Sequence, residues 1–197
     1  MPKFFICPIC KHPGFRDFAL CGFCSSHLRR CIQPTERRSV EFRSFSLFSW
    51  GAKSPPALRE LVYALKGRDD VGVWEEMSGW LASLAPPCPM EAALVPIAGR
   101  NPNHALGFAK ALSRCIQRPV IDALVKVSTG GQKRLSRTGR DMAKFRLRAP
   151  HLCSDYRTVI FVDDVITTGA TARAAYKALG QPKSIWIWSL LDRRPCD

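Results

Sequence analysis

Between Ala57 and Lys66, Leu58, Leu61, Val62 and Leu65 recur at helical spacing along ALRELVYALK, which predicts a helix with one buried face. Gly67 stands where such a helix would end. Trp74, Met77, Trp80, Leu81 and Leu84 repeat the spacing and predict a second helix. PPCPM breaks the pattern, and AALVPI after it is a short, strand-sized apolar run. Asn101 or Asn103 is placed to cap a helix reaching about Cys115. PVIDALVKV and TVIFVDDV are two further strand-like runs. TARAAYKALG is a helix closed by Gly180, and SIWIWSLL is a last strand. Towards the N-terminus, SVEFRSFSLF alternates well enough for a strand, and SPP stops it. Strand–helix–strand occurring twice predicts an α/β fold with a parallel sheet and crossover helices. In such sheets ligands bind beyond the carboxyl ends of the strands.

The bulk properties narrow this picture. A chain of 197 residues, 46% hydrophobic and 23% charged, is sufficient for one domain with a real core and a small appendage. No apolar run approaches the roughly 18–20 residues that span a bilayer, so membrane insertion is not expected. MPKFFICPICKHPG has cysteines and basic residues where a signal peptide keeps its apolar core, and a cytoplasmic location is expected. The net charge of +14 suits an anionic partner, either a phosphorylated metabolite or a nucleic acid, and equally suits a merely soluble surface. Trp50, Trp74, Trp80, Trp186 and Trp188 mostly read as core rather than as a base-stacking platform. Residues 126–148 hold eight Lys or Arg against one acid, Asp141. That run suits a loop closing over diphosphate, a track for a nucleic-acid backbone, or a solvated charge run.

Four of the nine cysteines form two CxxC pairs, Cys7–Cys10 and Cys21–Cys24. Each pair makes a tight knuckle, and two knuckles a short loop apart match a tetrahedral structural Zn²⁺ site. Redox-active or simply buried cysteines are the alternative. A head of some thirty residues has almost no core of its own, so metal would supply its folding energy. His12, His27 and Cys31 are spare ligands nearby and read as bystanders. The expected division is a zinc-binding module over 1–36 and an α/β domain over 37–197.

The densest chemistry lies in VIFVDDVITTGAT, Val159 to Thr171. A buried strand would end in the adjacent carboxylates of Asp163 and Asp164, which repel unless something compensates. The turn after it, Thr167, Thr168, Gly169, Ala170 and Thr171, offers hydroxyls, backbone N–H groups and a helix N-terminus, which together cradle a phosphate. Ionised carboxylates only accept hydrogen bonds and suit a sugar's vicinal hydroxyls or a divalent cation. The unit therefore suits a ribose carrying a phosphate at one end.

This stretch resembles the signature of the type I phosphoribosyltransferases. That likeness implies a site for phosphoribosyl diphosphate (PRPP) with Mg²⁺, the acidic pair on the ribose hydroxyls and the turn around the 5′-phosphate. In those enzymes the turn after the first core strand binds diphosphate. Here that would be Ala98, Gly99 and Arg100, with Arg100 either pairing with diphosphate or serving as a surface charge. Lys66 is a weaker candidate of the same kind.

A four-Cys head joined to such a domain is similar to the ComF (ComFC) family of competence-associated proteins. Tyr63 to Asp70, Val95 to Leu112 and Gln132 to Phe145 resemble further segments of that family. The Arg and the Asn-Gln pair of its Arg-Gly-Phe-Asn-Gln stretch are missing from Ala105 to Lys110, and an expected Asn is missing near Met142. The resemblance implies a part in DNA uptake and natural transformation, with single-stranded DNA and other competence proteins as partners. Two functions follow as expectations: a phosphoribosyltransferase with an unidentified acceptor, or a non-catalytic DNA-binding or regulatory module that uses the PRPP site as a sensor. A scaffold for a protein partner is a third. No His or Glu beside the motif stands out as a general base.

Overall fold

A computed structural model describes residues 3–16, 19–52, 54–68, 71–97, 104–127, 144–148, 155–180 and 184–193. The chain opens with the hairpin β1 (Lys3–Ile6) and β2 (Pro13–Arg16), followed by α1 (Gly22–Arg30). Next come β3 (Thr35–Arg38), β4 (Arg43–Ser49), α2 (Pro56–Arg68), α3 (Val71–Leu84), β5 (Ala92–Pro96) and α4 (His104–Ile116). β6 (Leu124–Val127) pairs antiparallel with β7 (Lys144–Leu147). β8 (Thr158–Ile166), α5 (Ala170–Ala178) and β9 (Ser184–Asp192) complete the fold.

The architecture is mixed α/β around a five-stranded sheet of order β3-β4-β9-β8-β5. The contacts β4–β9, β9–β8 and β8–β5 are parallel, and only the edge strand β3 runs antiparallel to its neighbour. β8 shows why its sequence is a continuous apolar run. Ile160 and Val162 pack into one core cluster, Val159 and Phe161 into a second. A strand covered on both sides has no polar face to show. The first cluster carries residues of α2, α3 and α4, with the Trp74 and Phe108 rings stacked at 5.2 Å. The second carries residues of α5 and of the β6–β7 hairpin.

Away from the acidic pair, three details differ from the sequence expectation. α2 runs through Arg68, so Gly67 lies within its last turn. Ser39 to Phe42 is a turn, and the strand expected over SVEFRSFSLF begins only at Arg43. PVIDALVKV divides into two: Pro119 and Ile121 bond to Leu94 of β5, after which the chain departs to form β6. A proline accepts such an edge position because it has no N–H to donate.

The N-terminal head is continuous with the main core: Cys7, Leu20, Cys24 and Leu28 share a cluster with Leu58, Leu61 and Trp80. Glu76 of α3 is the polar clamp. Its carboxylate accepts from the Ser25 hydroxyl at 2.7 Å and from the Leu20 N–H at 3.3 Å. The Arg29 guanidinium lies 4.8 Å from the Trp80 ring centroid. Glu76→Ala is expected to cost about 1–3 kcal/mol, because it orphans two donors at the junction. At this chain length each kcal/mol lowers the melting temperature by about 2–4 °C, which calorimetry would read. An unchanged melt would show that apolar contacts alone dock the head. Among the described residues no helix is long and apolar enough to cross a membrane.

Candidate functional site

β8 does not stop at the acidic pair. It continues to Ile166, so Asp163 and Asp164 sit inside the strand near its carboxyl end, with Asp163 beside Ser189 of β9. Both are half-buried. Asp163 Oδ1 accepts the N–H of Asp164 at 2.9 Å, which fixes that carboxylate relative to the backbone. The chain then bends through Thr167, Thr168 and Gly169, and α5 begins at Ala170. Gly169, the residue before the helix, has φ 75°, a left-handed conformation that glycine adopts without strain. Thr168 Oγ1 accepts the Ala170 N–H at 3.2 Å and shapes the bend.

Asp163, Asp164, Thr167 and Thr171 line one open cleft of about 370 Å³. Its volume is in the range of small-molecule sites. Lys126 of β6 and Arg193 after β9 line the same cleft, so two cations share it with the two carboxylates. Cations on the same cleft wall reduce the cost of placing two acids side by side. Trp50, Val62 and Ile97 supply an apolar wall. The cleft thus combines acceptors for hydroxyls or a hard cation, hydroxyl donors beside a helix N-terminus, and cations for a second anionic group.

Of the residues predicted from sequence, Thr168, Gly169 and Ala170 shape the turn without lining the cleft. Arg100 lies outside the described residues, as do Asn101 and Asn103, and Lys66 is described only by its helical backbone. Sequence reading reached Lys126 only as the first residue of the 126–148 basic run, and it missed Arg193, Trp50 and the apolar lining residues Val62, Ile97 and Val165. Lys126 is submerged in a long basic run, Arg193 belongs to no motif, and Trp50 reads as core.

The four cysteines converge. The Sγ atoms of Cys7, Cys10, Cys21 and Cys24 all lie within 4.8 Å of one another, with Cys10 and Cys21 at 3.6 Å. A tetrahedral ion with Zn–S bonds of about 2.3 Å needs edges of about 3.8 Å, so the set fits such an ion with little movement. Backbone bonds build the knuckles: Cys7 N–H to His12 C=O and Lys11 N–H to Cys7 C=O, both at 2.9 Å, and Cys24 N–H to Cys21 Sγ at 3.4 Å. Cys31 turns its thiol to the His27 carbonyl, and neither residue belongs to the cluster.

Without metal, Cys7, Cys21 and Cys24 do not behave alike. Burial works to raise the pKa of Cys7, but backbone hydrogen bonds at Cys21, Cys10 and Ile9 outweigh it and hold it at about 7. Burial pushes Cys24 up, reinforced by the thiols of Cys10 and Cys21 and the charge of Cys7. Burial also raises Cys21. Cys21 and Cys24 therefore still carry protons at neutral pH, and Cys7 is mostly protonated only below about 7. A thiophilic cation must expel protons from Cys21 and Cys24 across the neutral range, and from Cys7 as well at lower pH. Its affinity should rise with pH throughout, and more steeply below about 7 than above it. Competition with a coloured chelator on either side of neutrality would measure this. An affinity that does not change with pH would show that the thiolates exist before metal arrives.

The chain matches no protein-family model and no curated protein. Among solved structures it is similar to an allosteric regulatory enzyme of purine biosynthesis, with 18% identity and a TM-score of 0.41 over 62% of this chain. It spans only 26% of that enzyme's length. An orotate phosphoribosyltransferase from Aeropyrum pernix aligns at 15% identity and TM-score 0.39, over 85% of this chain and 80% of the other. An adenine phosphoribosyltransferase from Leishmania donovani aligns at 12% identity and TM-score 0.40, over 86% and 79%. Likeness at this level assigns no activity, which has to be argued from the site.

Proposed function

We propose that this chain is a ComF-like protein that binds PRPP with Mg²⁺ in the β8–α5 cleft and carries a structural Zn²⁺ on Cys7, Cys10, Cys21 and Cys24. The carrying observation is the convergence of Asp163, Asp164, Thr167 and Thr171 on one cleft that also holds Lys126 and Arg193. In this reading the acidic pair accepts the ribose 2′ and 3′ hydroxyls, and the 167–171 turn takes the 5′-phosphate. Lys126 and Arg193 meet the diphosphate. Mg²⁺ suits the oxygen donors present and would neutralise part of the diphosphate charge. The zinc module is placed at residues 1–36 and the PRPP-binding domain at 37–197, with β3 (Thr35–Arg38) of the main sheet at their junction.

As a phosphoribosyltransferase, the protein would hold ribose while an acceptor's lone pair attacks the anomeric carbon. The bond to diphosphate breaks, and diphosphate leaves with the electron pair. The acceptor's proton passes to solvent or to the departing diphosphate. The family resemblance supports a setting in DNA uptake. The +14 charge is compatible with a second reading, in which single-stranded DNA is the principal ligand and PRPP regulates it.

Calorimetric titration of the zinc-loaded protein with PRPP, with and without Mg²⁺, tests the first reading. Saturable binding that requires Mg²⁺ is expected, and a suitable acceptor would release diphosphate. Failure to bind PRPP under either condition would sink both the enzyme and the PRPP-sensor readings. Binding of single-stranded DNA that falls steeply as salt rises would then support a DNA-binding role alone.

A further inference from the structure

The turn that would receive the 5′-phosphate has little of its own to hold it. Gly169 precedes α5 and has no side chain to cap the helix. Glycine loses more conformational freedom on folding than any other residue. A phosphate cradle, however, binds best when its N–H groups are aimed before the ligand arrives. The Thr168 hydroxyl, which accepts the Ala170 N–H, supplies part of that order, and the rest comes from outside the turn.

Two side chains supply it. A Cβ placed on Gly169 would lie 3.1 Å from Phe42 Cζ and 3.5 Å from Arg173 Nη1. Gly169 is therefore approached by an aromatic ring and a guanidinium, and the missing Cβ gives the ring its room, the guanidinium standing at ordinary contact distance. The Arg173 side chain also donates from Nη2 to the Thr168 carbonyl at 3.0 Å, while its backbone N–H makes the first helical bond of α5, to the Gly169 carbonyl, as any residue there would. One carbonyl of the bend, that of Thr168, is thereby committed to the Arg173 side chain. Phe42 is itself fixed by its turn. Its carbonyl accepts from the Ser39 N–H and hydroxyl, both at 3.0 Å, and its N–H donates to Ser39 Oγ at 3.1 Å. The ring packs on the cluster that contains Ile166 and Ala172, which flank the bend. Neither Phe42 nor Arg173 lines the cleft.

We infer that Phe42 and Arg173 are positioning residues for the phosphate turn: they hold Thr168 and Gly169 from outside the cleft and so set the affinity for the 5′-phosphate. This inference rests on the PRPP reading of the cleft. It makes the β3–β4 turn, far away in sequence, part of the binding apparatus. It also divides the threonines, with Thr167 and Thr171 lining the cleft and Thr168 building the bend.

The test uses the zinc-loaded full chain and three probes: Mg–PRPP, ribose 5-phosphate and inorganic Mg–diphosphate. Phe42→Ala and Arg173→Met are expected to weaken PRPP and ribose 5-phosphate in parallel, by about tenfold or more, since small misplacements of a preorganised site are costly. Diphosphate binding should stay close to that of the wild type, because Lys126 and Arg193 are untouched. Phe42→Leu, which keeps an apolar filler, should recover most of the loss and controls for folding. The pair should also be non-additive. Gly169→Ala strains the backbone and collides with Phe42, whereas Gly169→Ala in a Phe42→Ala background keeps only the strain. The double variant should therefore bind ribose 5-phosphate more tightly than the product of the two single effects predicts.

Wild-type affinity for ribose 5-phosphate in Phe42→Ala and Arg173→Met would overturn the inference and leave the site reading intact. An equal loss of all three probes would also overturn it, since the residues would then be generally structural. If the wild type binds neither PRPP nor ribose 5-phosphate, the site reading fails and this inference with it.

Discussion

Cys24→Ser is expected to abolish the metal binding proposed for the four-cysteine cluster and to melt the protein at a much lower temperature than the metal-loaded wild type. Structural Zn²⁺ contributes about 10–16 kcal/mol of apparent binding energy in small zinc-stapled units near pH 7. That is comparable to the whole stability of an ordinary domain, about 5–15 kcal/mol. The head does not stand apart, because Cys7 and Cys24 are buried in the cluster that also holds Leu28, Leu58 and Leu61. Loss of the cation would loosen the packing of Leu20 and Leu28, and α2 and α3 would lose a partner. Metal content and thermal melts, compared with a chelator-treated wild type, read this directly. Cys31→Ser is the control, because that thiol faces the His27 carbonyl and should leave metal content unchanged. A Cys24→Ser protein that keeps one metal equivalent and the wild-type melt would refute the site.

The periodicities identified elements better than they identified contacts. β8 was legible because a strand buried on both faces is apolar without alternation, and α3 because Trp74, Met77 and Leu81 share one helical stripe. The knuckles were legible because CxxC spacing is a local property. The cleft's cations were less so, because Lys126 is one of eight cations in the 126–148 run with nothing to single it out, and nothing local marks Arg193. Trp50 illustrates the same limit: it is half-buried and forms part of the cleft wall, which composition cannot distinguish from core. The departures at Leu106, Ala109 and Lys110 also acquire a physical setting. Ala109 is fully buried on α4 beside Phe108, and Lys110 is exposed, so an amide at position 109 would need a partner inside the core.

Asp163→Asn combined with Asp164→Asn is expected to abolish Mg–PRPP binding while leaving the fold intact. Hydrogen bonds to a charged group contribute about 1.5–3 kcal/mol each and neutral ones about 0.5–1.5, so removing the charge from two acceptors costs about 2–3 kcal/mol of binding. At about 1.4 kcal/mol per tenfold, affinity falls by about one and a half to two orders of magnitude from this cause alone. Loss of the donors for a hard cation acts in the same direction. Folding should respond differently. Each amide keeps nearly the shape of the carboxylate, and its oxygen can still accept the backbone N–H that Asp163 Oδ1 accepts now. Two adjacent like charges disappear, which offsets the counter-charge that Lys126 and Arg193 lose, so the melt should move little. Calorimetry with Mg–PRPP, run beside thermal melts, separates the two effects. A folded double variant with wild-type affinity would remove the acidic pair from the site. A double variant that melts far below wild type would make the carboxylates structural, and the single variants would then show which one the strand needs.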